Sequence, residues 1–211
     1  MKNPRQTILI IGVASLLYFT GCFSPVYDTA RTTPGLTVGG GLAYHNINYT
    51  SGDIDWVVSG IRPDVCLSFA PVNWFSVVGH AGLLIGRDSL ESKTYPFAGA
   101  GVKFSTPWEV VNLALRAELE FPSIGALTPM IGFSIPKRWE ILTFGIKTSY
   151  CLIPSTIFIN IHPLKGTHLF AGFALPGEGS TPEVCLGIGY TYTFDLSKKG
   201  EINEKDTLKV E

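Results

Sequence analysis

The sequence predicts an all-β chain, an antiparallel transmembrane β-barrel of about ten strands, or eight if one pair merges. Three observations carry that expectation. Apolar and polar residues alternate through stretch after stretch. The polar face is built of small residues with charges only at intervals. The connections between stretches lengthen and shorten in turn.

The segment "NLALRAELEF", residues 112–121, shows the alternation most cleanly. Leu113, Leu115, Ala117, Leu119 and Phe121 take one parity, and Asn112, Ala114, Arg116, Glu118 and Glu120 take the other. Successive side chains of a strand leave on opposite faces, so this is one strand between two environments. The same reading places strands near 35–47, 57–70, 73–86, 95–105, 110–121, 126–135, 139–149, 155–162, 167–175 and 183–194. In the first, Leu36, Val38, Leu42 and Tyr44 oppose Thr37, Gly39, Gly41, Ala43 and His45. In the second, Val57, Ile61, Val65, Leu67 and Phe69 oppose Arg62, Asp64, Cys66 and Ser68. The fourth sets Ala98, Ala100, Val102 and Phe104 against Gly99, Gly101 and Lys103, and the seventh sets Leu142, Phe144 and Ile146 against Thr143, Gly145, Lys147 and Ser149. The last sets Val184, Leu186, Ile188, Tyr190, Tyr192 and Phe194 against Cys185, Gly187, Gly189, Thr191 and Thr193. Between Pro34 and Phe194 no stretch carries a convincing 3.6-residue period, and Gly and Pro puncture most helix windows. The eighth and ninth strands, around "FINI" and "LFAGFAL", are barely long enough to span, since a tilted membrane strand needs about 9–11 residues.

The charges sort by parity. The apolar parity is almost empty of them, with Glu140 at the start of the seventh strand as the exception. The other parity carries Arg62, Asp64, Lys103, Arg116, Glu118, Glu120, Lys147 and Glu183, a set balanced in sign, among Gly, Ser, Thr, Asn and His. A soluble calyx would put the apolar face inside; a membrane barrel would put it against lipid. A water-facing surface carries Lys, Glu and Thr in long runs, whereas this face is glycine-rich. Large apolar residues from ten strands would also overfill a small barrel. Only 16% of the chain is charged, against about 25% for an average soluble domain. A net charge of −1 with no basic stripe gives no electrostatic case for nucleic acid.

The longer connections, "INYTSGDID", "RDSLESK" and "PGEGSTP", fall after odd-numbered strands, and "PVN", "TPWE" and "PKRW" are short. Outer-membrane barrels have short periplasmic turns and longer outer loops. An even strand count then puts both termini on the periplasmic side. Tyr44, Trp56, Trp74, Tyr95, Trp108, Trp139, Tyr190 and Tyr192 fall toward strand ends, as an interfacial belt requires.

The first residues read as a secretory signal. Lys2 and Arg5 precede an apolar run from Ile8 to Phe19, and "LYFTGC" ends at Cys22. The run is short for a spanning helix. Gly21–Cys22 resembles the bacterial lipoprotein signal, although Phe19 stands where that pattern more often has Leu. The resemblance implies cleavage after residue 21 and a diacylglyceryl group on the Cys22 sulfur, in the inner leaflet of an outer membrane. Residues 22–33 then form a lipid-anchored tether, 34–194 the barrel, and 195–211 a disordered polar tail. Across 34–194 the pattern resembles small bacterial outer-membrane barrel proteins. Phe194 is similar to their C-terminal aromatic assembly signal, except that 17 residues follow it.

No motif points to catalysis. There is no GxSxG, no phosphate loop, and no CxxC. Ser68, Ser76, Ser134 and Ser149 form no motif with the histidines. Lipidation of Cys22 leaves Cys66, Cys151 and Cys185, an odd number that argues against a disulfide framework. His45, His80, His162 and His168 read as polar filling of the lumen, with no metal and no cofactor expected. Arg116, Glu118 and Glu120 form the sharpest constellation. Paired carboxylates two residues apart can do acid–base work, but Arg/Glu pairs also fill a narrow lumen without leaving charge unpaired. Lys103 and Lys147 are candidate counter-charges. "GGG" at 39–41 and "GAG" at 99–101 read as relief of crowding or as curvature.

The functional expectation is an outer-membrane barrel lipoprotein of structural or surface-contact role with a polar, largely filled lumen. Its partners would be outer-membrane lipid and, through the outer loops, lipopolysaccharide or other envelope components. The rivals are a narrow solute channel, a ligand-binding calyx lipoprotein, and a lipid-modifying barrel enzyme. Oligomeric state is not legible.

Overall fold

The computed structural model describes residues 25–51, 54–87, 92–121, 125–136, 138–149, 156–174 and 183–194. Ten strands follow in chain order: β1 (Gly35–Ser51), β2 (Ile54–Val72), β3 (Phe75–Arg87), β4 (Ser92–Ser105), β5 (Val111–Phe121), β6 (Ala126–Ser134), β7 (Glu140–Ser149), β8 (Thr156–Ile161), β9 (Thr167–Ala174) and β10 (Glu183–Phe194). They close into one antiparallel barrel in which each strand pairs with its sequence neighbours. The seam joins β1 to β10 from Leu36↔Phe194 to Asn46↔Val184. Closure leaves no sheet edge, so every strand has a partner on both sides. That is why β8, only 6 residues long, persists as a strand between β7 and β9. The expected fold class and the count of ten hold, and the eight-stranded alternative falls away.

The apolar parity faces outward. Ile61, Val65, Leu67 and Phe69 of β2, Leu113, Leu115 and Leu119 of β5, and Leu186 and Ile188 of β10 are all exposed, Leu119 by 73%. Arg62, Asp64, Lys103, Arg116, Glu118 and Lys147 are buried inside. A calyx with an apolar pocket needs the reverse arrangement, so that rival is excluded. Trp74, Trp108, Tyr44, Tyr190 and Tyr192 are exposed on the exterior, Tyr95 and Trp139 are half-buried, and the side chain of Trp56 lies outside the described residues.

Two expectations are corrected. The long connection read at 48–56 is largely strand: β1 and β2 continue through Tyr49↔Trp56, Thr50↔Asp55 and Ser51↔Ile54. Ile47, Tyr49, Thr50, Ile54 and Trp56 are residue types that favour strand, and β1 and β2 extend to Ser51 and Ile54. The connections at the terminal end, where β1 starts and β10 stops, span 73–74, 106–110, 135–139 and 162–166; those at the opposite end span 52–53, 88–91, 122–125, 150–155 and 175–182. The alternation of long and short is thus weaker than the sequence suggested.

Glu140 is the second. Its parity predicts an outward side chain, yet it is buried in the lumen. The register steps from Phe133↔Leu142 to Ser134↔Glu140, so β7 carries an extra residue at Ile141. Such a β-bulge re-aims the side chains on one side of it. Ile141 stays exposed and Glu140 turns inward.

The interior also holds part of the N-terminal segment. Residues 25–33, expected as part of a tether, run inside the barrel, with Val26, Tyr27, Ala30 and Thr32 buried.

Candidate functional site

The candidate site is the lumen and the N-terminal segment within it. The segment has no secondary structure, so its backbone groups need partners from the wall. Glu140, turned inward by the bulge, accepts the backbone N–H of Ala30 at 2.8 Å and of Arg31 at 2.7 Å, and also the Thr143 hydroxyl. The Asn160 amide donates to the carbonyls of Val26 at 2.8 Å and Asp28 at 3.2 Å. Thr32 and Ser105 share a hydroxyl–hydroxyl bond of 2.7 Å.

Tyr27 and Asp28 anchor the middle of the segment. The Tyr27 ring lies over Gly41, Gly187 and Gly189 of β1 and β10, where a Cβ at any of the three would collide with it. Only glycine leaves that floor open. The ring also meets His168 and Phe170 edge-on, each with centroids 6.3 Å apart, and Phe170 stacks on Phe158 at 5.7 Å. Burial pushes the Tyr27 phenol above its usual range, keeping it neutral. Asp28 accepts from Lys103 Nζ at 2.8 Å and lies 3.4 Å from Arg116 Nη1. Burial alone would raise its carboxyl; the Lys103 and Arg116 charges outweigh burial and hold it below its usual range. The second partner of Lys103 is the Thr29 carbonyl at 3.0 Å, so both come from the segment.

The expected lumen charges sort into three groups. Arg62 and Asp64 pair within β2 at 2.9 Å, and the Arg62 guanidinium lies 3.4 Å above the Phe97 ring. Arg116 pairs with Glu118, and Lys147 pairs with Glu120. Lys103 pairs with Asp28 rather than with the β5 carboxylates. The Glu183 side chain lies outside the described residues, as do Cys22, Cys151, the signal at 1–21 and the tail at 195–211. Apolar Leu84, Phe97, Met130, Phe158 and Phe170 are buried alongside the polar set.

The sequence also gave no sign that His80 joins the β5 carboxylates. Its Nδ1 lies 3.2 Å from Glu118 and its Nε2 lies 3.4 Å from Glu120. These residues sit on β3 and β5, with β4 between. The registers His80↔Gly99 and Gly99↔Glu120 explain the meeting. A Cβ at Gly99 would collide with the His80 ring, so the glycine lets side chains from both neighbours meet across it. The three donor atoms lie within 4.8 Å of one another, a spacing a metal ion could use. Arg116 and Lys147 already occupy these carboxylates, and their charges compete with a cation there.

The other histidines hold the wall together. His162 Nε2 meets Thr143 Oγ1 at 2.9 Å, and His168 Nε2 meets Thr191 Oγ1 at 2.9 Å. His45 Nε2 lies 3.1 Å from Cys185 Sγ. Among the described residues Cys66 is a free thiol. A cavity of about 460 Å³ adjoins the N-terminal segment and is bordered by residues from the terminal-end turns, among them Arg138, Trp139, Lys165 and Gly166.

No family model and no curated protein matches the sequence. Among solved structures, the chain is similar to KdgM porin at 12% identity and a TM-score of 0.35, over 74% of this chain and 99% of that one. It is also similar to Ail, the attachment invasion locus protein of Yersinia pestis, at 16% identity and a TM-score of 0.36, over 76% of this chain and 100% of that one. Likeness at this level carries no argument about activity.

Proposed function

We propose that the protein is an outer-membrane barrel of structural or surface-contact role, sealed by its own N-terminal segment. The observation that carries this reading is the course of residues 25–33 through the lumen, with Asp28 between Lys103 and Arg116. A path open to solutes would leave those cations to water. Here a segment of the same chain neutralises them and covers the glycine floor. The apolar exterior supports the membrane: exposed aliphatic and aromatic side chains encircle the barrel, and a continuous belt of that kind suits lipid rather than water.

In this reading both ends of the barrel chain face the periplasm. The long β1–β2 hairpin projects on the other side, toward lipopolysaccharide or another cell surface. The resemblance of Gly21–Cys22 to a lipoprotein signal adds a lipid anchor at Cys22. Cys22 lies three residue steps before the buried Pro25, and an extended chain reaches about 3.5 Å per residue. The lipid would therefore hold the sealing segment on a leash of about 10 Å. Radiolabelled palmitate incorporation, lost on Cys22→Ser, tests the anchor.

The barrel faces are tested by a cysteine scan of residues 112–121 in native membranes, in a background lacking the other non-lipidated cysteines. Odd positions reacting only with a lipid-soluble reagent support the reading. Odd positions open to a water-soluble reagent defeat it.

A further inference from the structure

We infer that the cavity at the terminal end of the barrel is a binding site for a phosphate-bearing ligand, held by Arg31, Arg138 and Lys165. The N-terminal segment forms part of the cavity wall, and the volume of about 460 Å³ is that of a small-molecule pocket. Its border carries five cationic residues, Arg31, Lys103, Arg116, Arg138 and Lys165, against two carboxylates, Asp28 and Glu140. Both carboxylates are committed. Asp28 is taken by Lys103 and Arg116, and Glu140 by two backbone N–H groups and Thr143. Arg31, Arg138 and Lys165 therefore have no acidic partner among the described residues.

All three cationic residues border the one cavity. Arg31 Nη1 donates to the Arg138 carbonyl at 3.4 Å, which sets the Arg31 guanidinium on the turn that carries Arg138. A guanidinium with no carboxylate partner suits phosphate oxygens, which accept two parallel N–H bonds from its planar fork. Ser76 and Arg116 also border the cavity, and their Oγ and Nε atoms are buried without a partner among the described residues. Both can donate, so the wall presents unfilled donors as well as uncompensated positive charge. An acceptor-rich anion answers both.

The phosphate could belong to a soluble anion or to a lipid headgroup at the membrane rim. The inference rests on the docked course of residues 25–33, not on whether they close the lumen to solutes. The test is calorimetric titration of the full chain, in a neutral sugar detergent and phosphate-free buffer, with sodium pyrophosphate and separately with dihexanoyl phosphatidic acid. We expect saturable binding of at least one probe, weakened by salt, and at least tenfold weaker for R31Q/R138Q/K165Q. Binding of both probes assigns the site to phosphate from either source; binding of the lipid alone assigns it to a headgroup. If the triple variant does not fold, R138Q, in an exposed turn, is expected to weaken binding at least threefold. No binding of either probe, or binding unchanged in the variants, overturns the inference.

Discussion

Replacing Asp28 by asparagine removes the only carboxylate that Lys103 touches among the described residues, and one of two that Arg116 touches. Lys103 is 3% exposed, so its charge is left in a poorly hydrated place. Breaking a buried pair by removing one partner costs about 3–5 kcal/mol. The lower end applies, because Arg116 keeps Glu118 and the asparagine oxygen can still accept from Lys103. At about 1.4 kcal/mol per tenfold change, a loss of about 3 kcal/mol shifts the docking equilibrium of the segment roughly a hundredfold. Thr32, 4% exposed while docked, reports that shift as Thr32→Cys. When opening is fast, the rate at which a water-soluble maleimide modifies it follows the open population. The measurement uses a background with Cys66, Cys151 and Cys185 changed to serine, and mass spectrometry to locate the label. We expect labelling about a hundredfold faster in Asp28→Asn, falling back when Lys103→Met removes the orphaned cation. Rates within threefold of the parent, or no recovery in the double variant, would refute the pairing as the latch.

Other outcomes follow from the same contacts. Gly187→Ala puts a methyl group 2.7 Å from the Tyr27 hydroxyl; overpacking of this kind costs about 1–3 kcal/mol, so Thr32→Cys labelling should rise, and Tyr27→Phe in the same chain should relieve the clash seen in its thermal midpoint. Leu115→Arg places a charge on the exposed apolar face of β5 at about 2–4 kcal/mol near a bilayer midplane, and should reduce folded, heat-modifiable barrel in membranes. The Asp28 carboxyl is held below its usual value of 3.8 in the docked state. Its contribution is therefore fully present above that value and is lost as pH falls through the lowered one. Labelling of Thr32→Cys by an acid-tolerant reagent should accelerate on acidification below about pH 4, less so in Asp28→Asn.

What the sequence could disclose was whatever repeats locally. The alternation in β5 and β10 marks its own faces, because each residue's direction depends only on its neighbours in the strand. Strand ends follow to within a few residues for the same reason. Glu140 was misread because a bulge breaks parity at one residue, and nothing in "RWEILTF" announces the extra Ile141. The inward course of residues 25–33 was not legible because "PVYDTARTT" has no period, and its partners Gly41, Lys103, Glu140 and Asn160 lie on four strands. One signal was available. Gly39, Gly41, Gly187 and Gly189 share the inward parity of the two seam strands, and an open floor of that kind implies something bulky above it. The His80–Glu118–Glu120 meeting needed the register of β3 and β5 across Gly99, which no single strand contains.

The claim that the N-terminal segment seals the barrel is tested most directly by single-channel recording in planar bilayers. The full chain is compared with one lacking residues 25–33, both shown to be folded. We expect the full chain to stay silent and the deletion to give discrete, ohmic steps. A full chain that conducts as readily as the deletion, or a folded deletion that is equally silent, would show that the segment is not what closes the lumen.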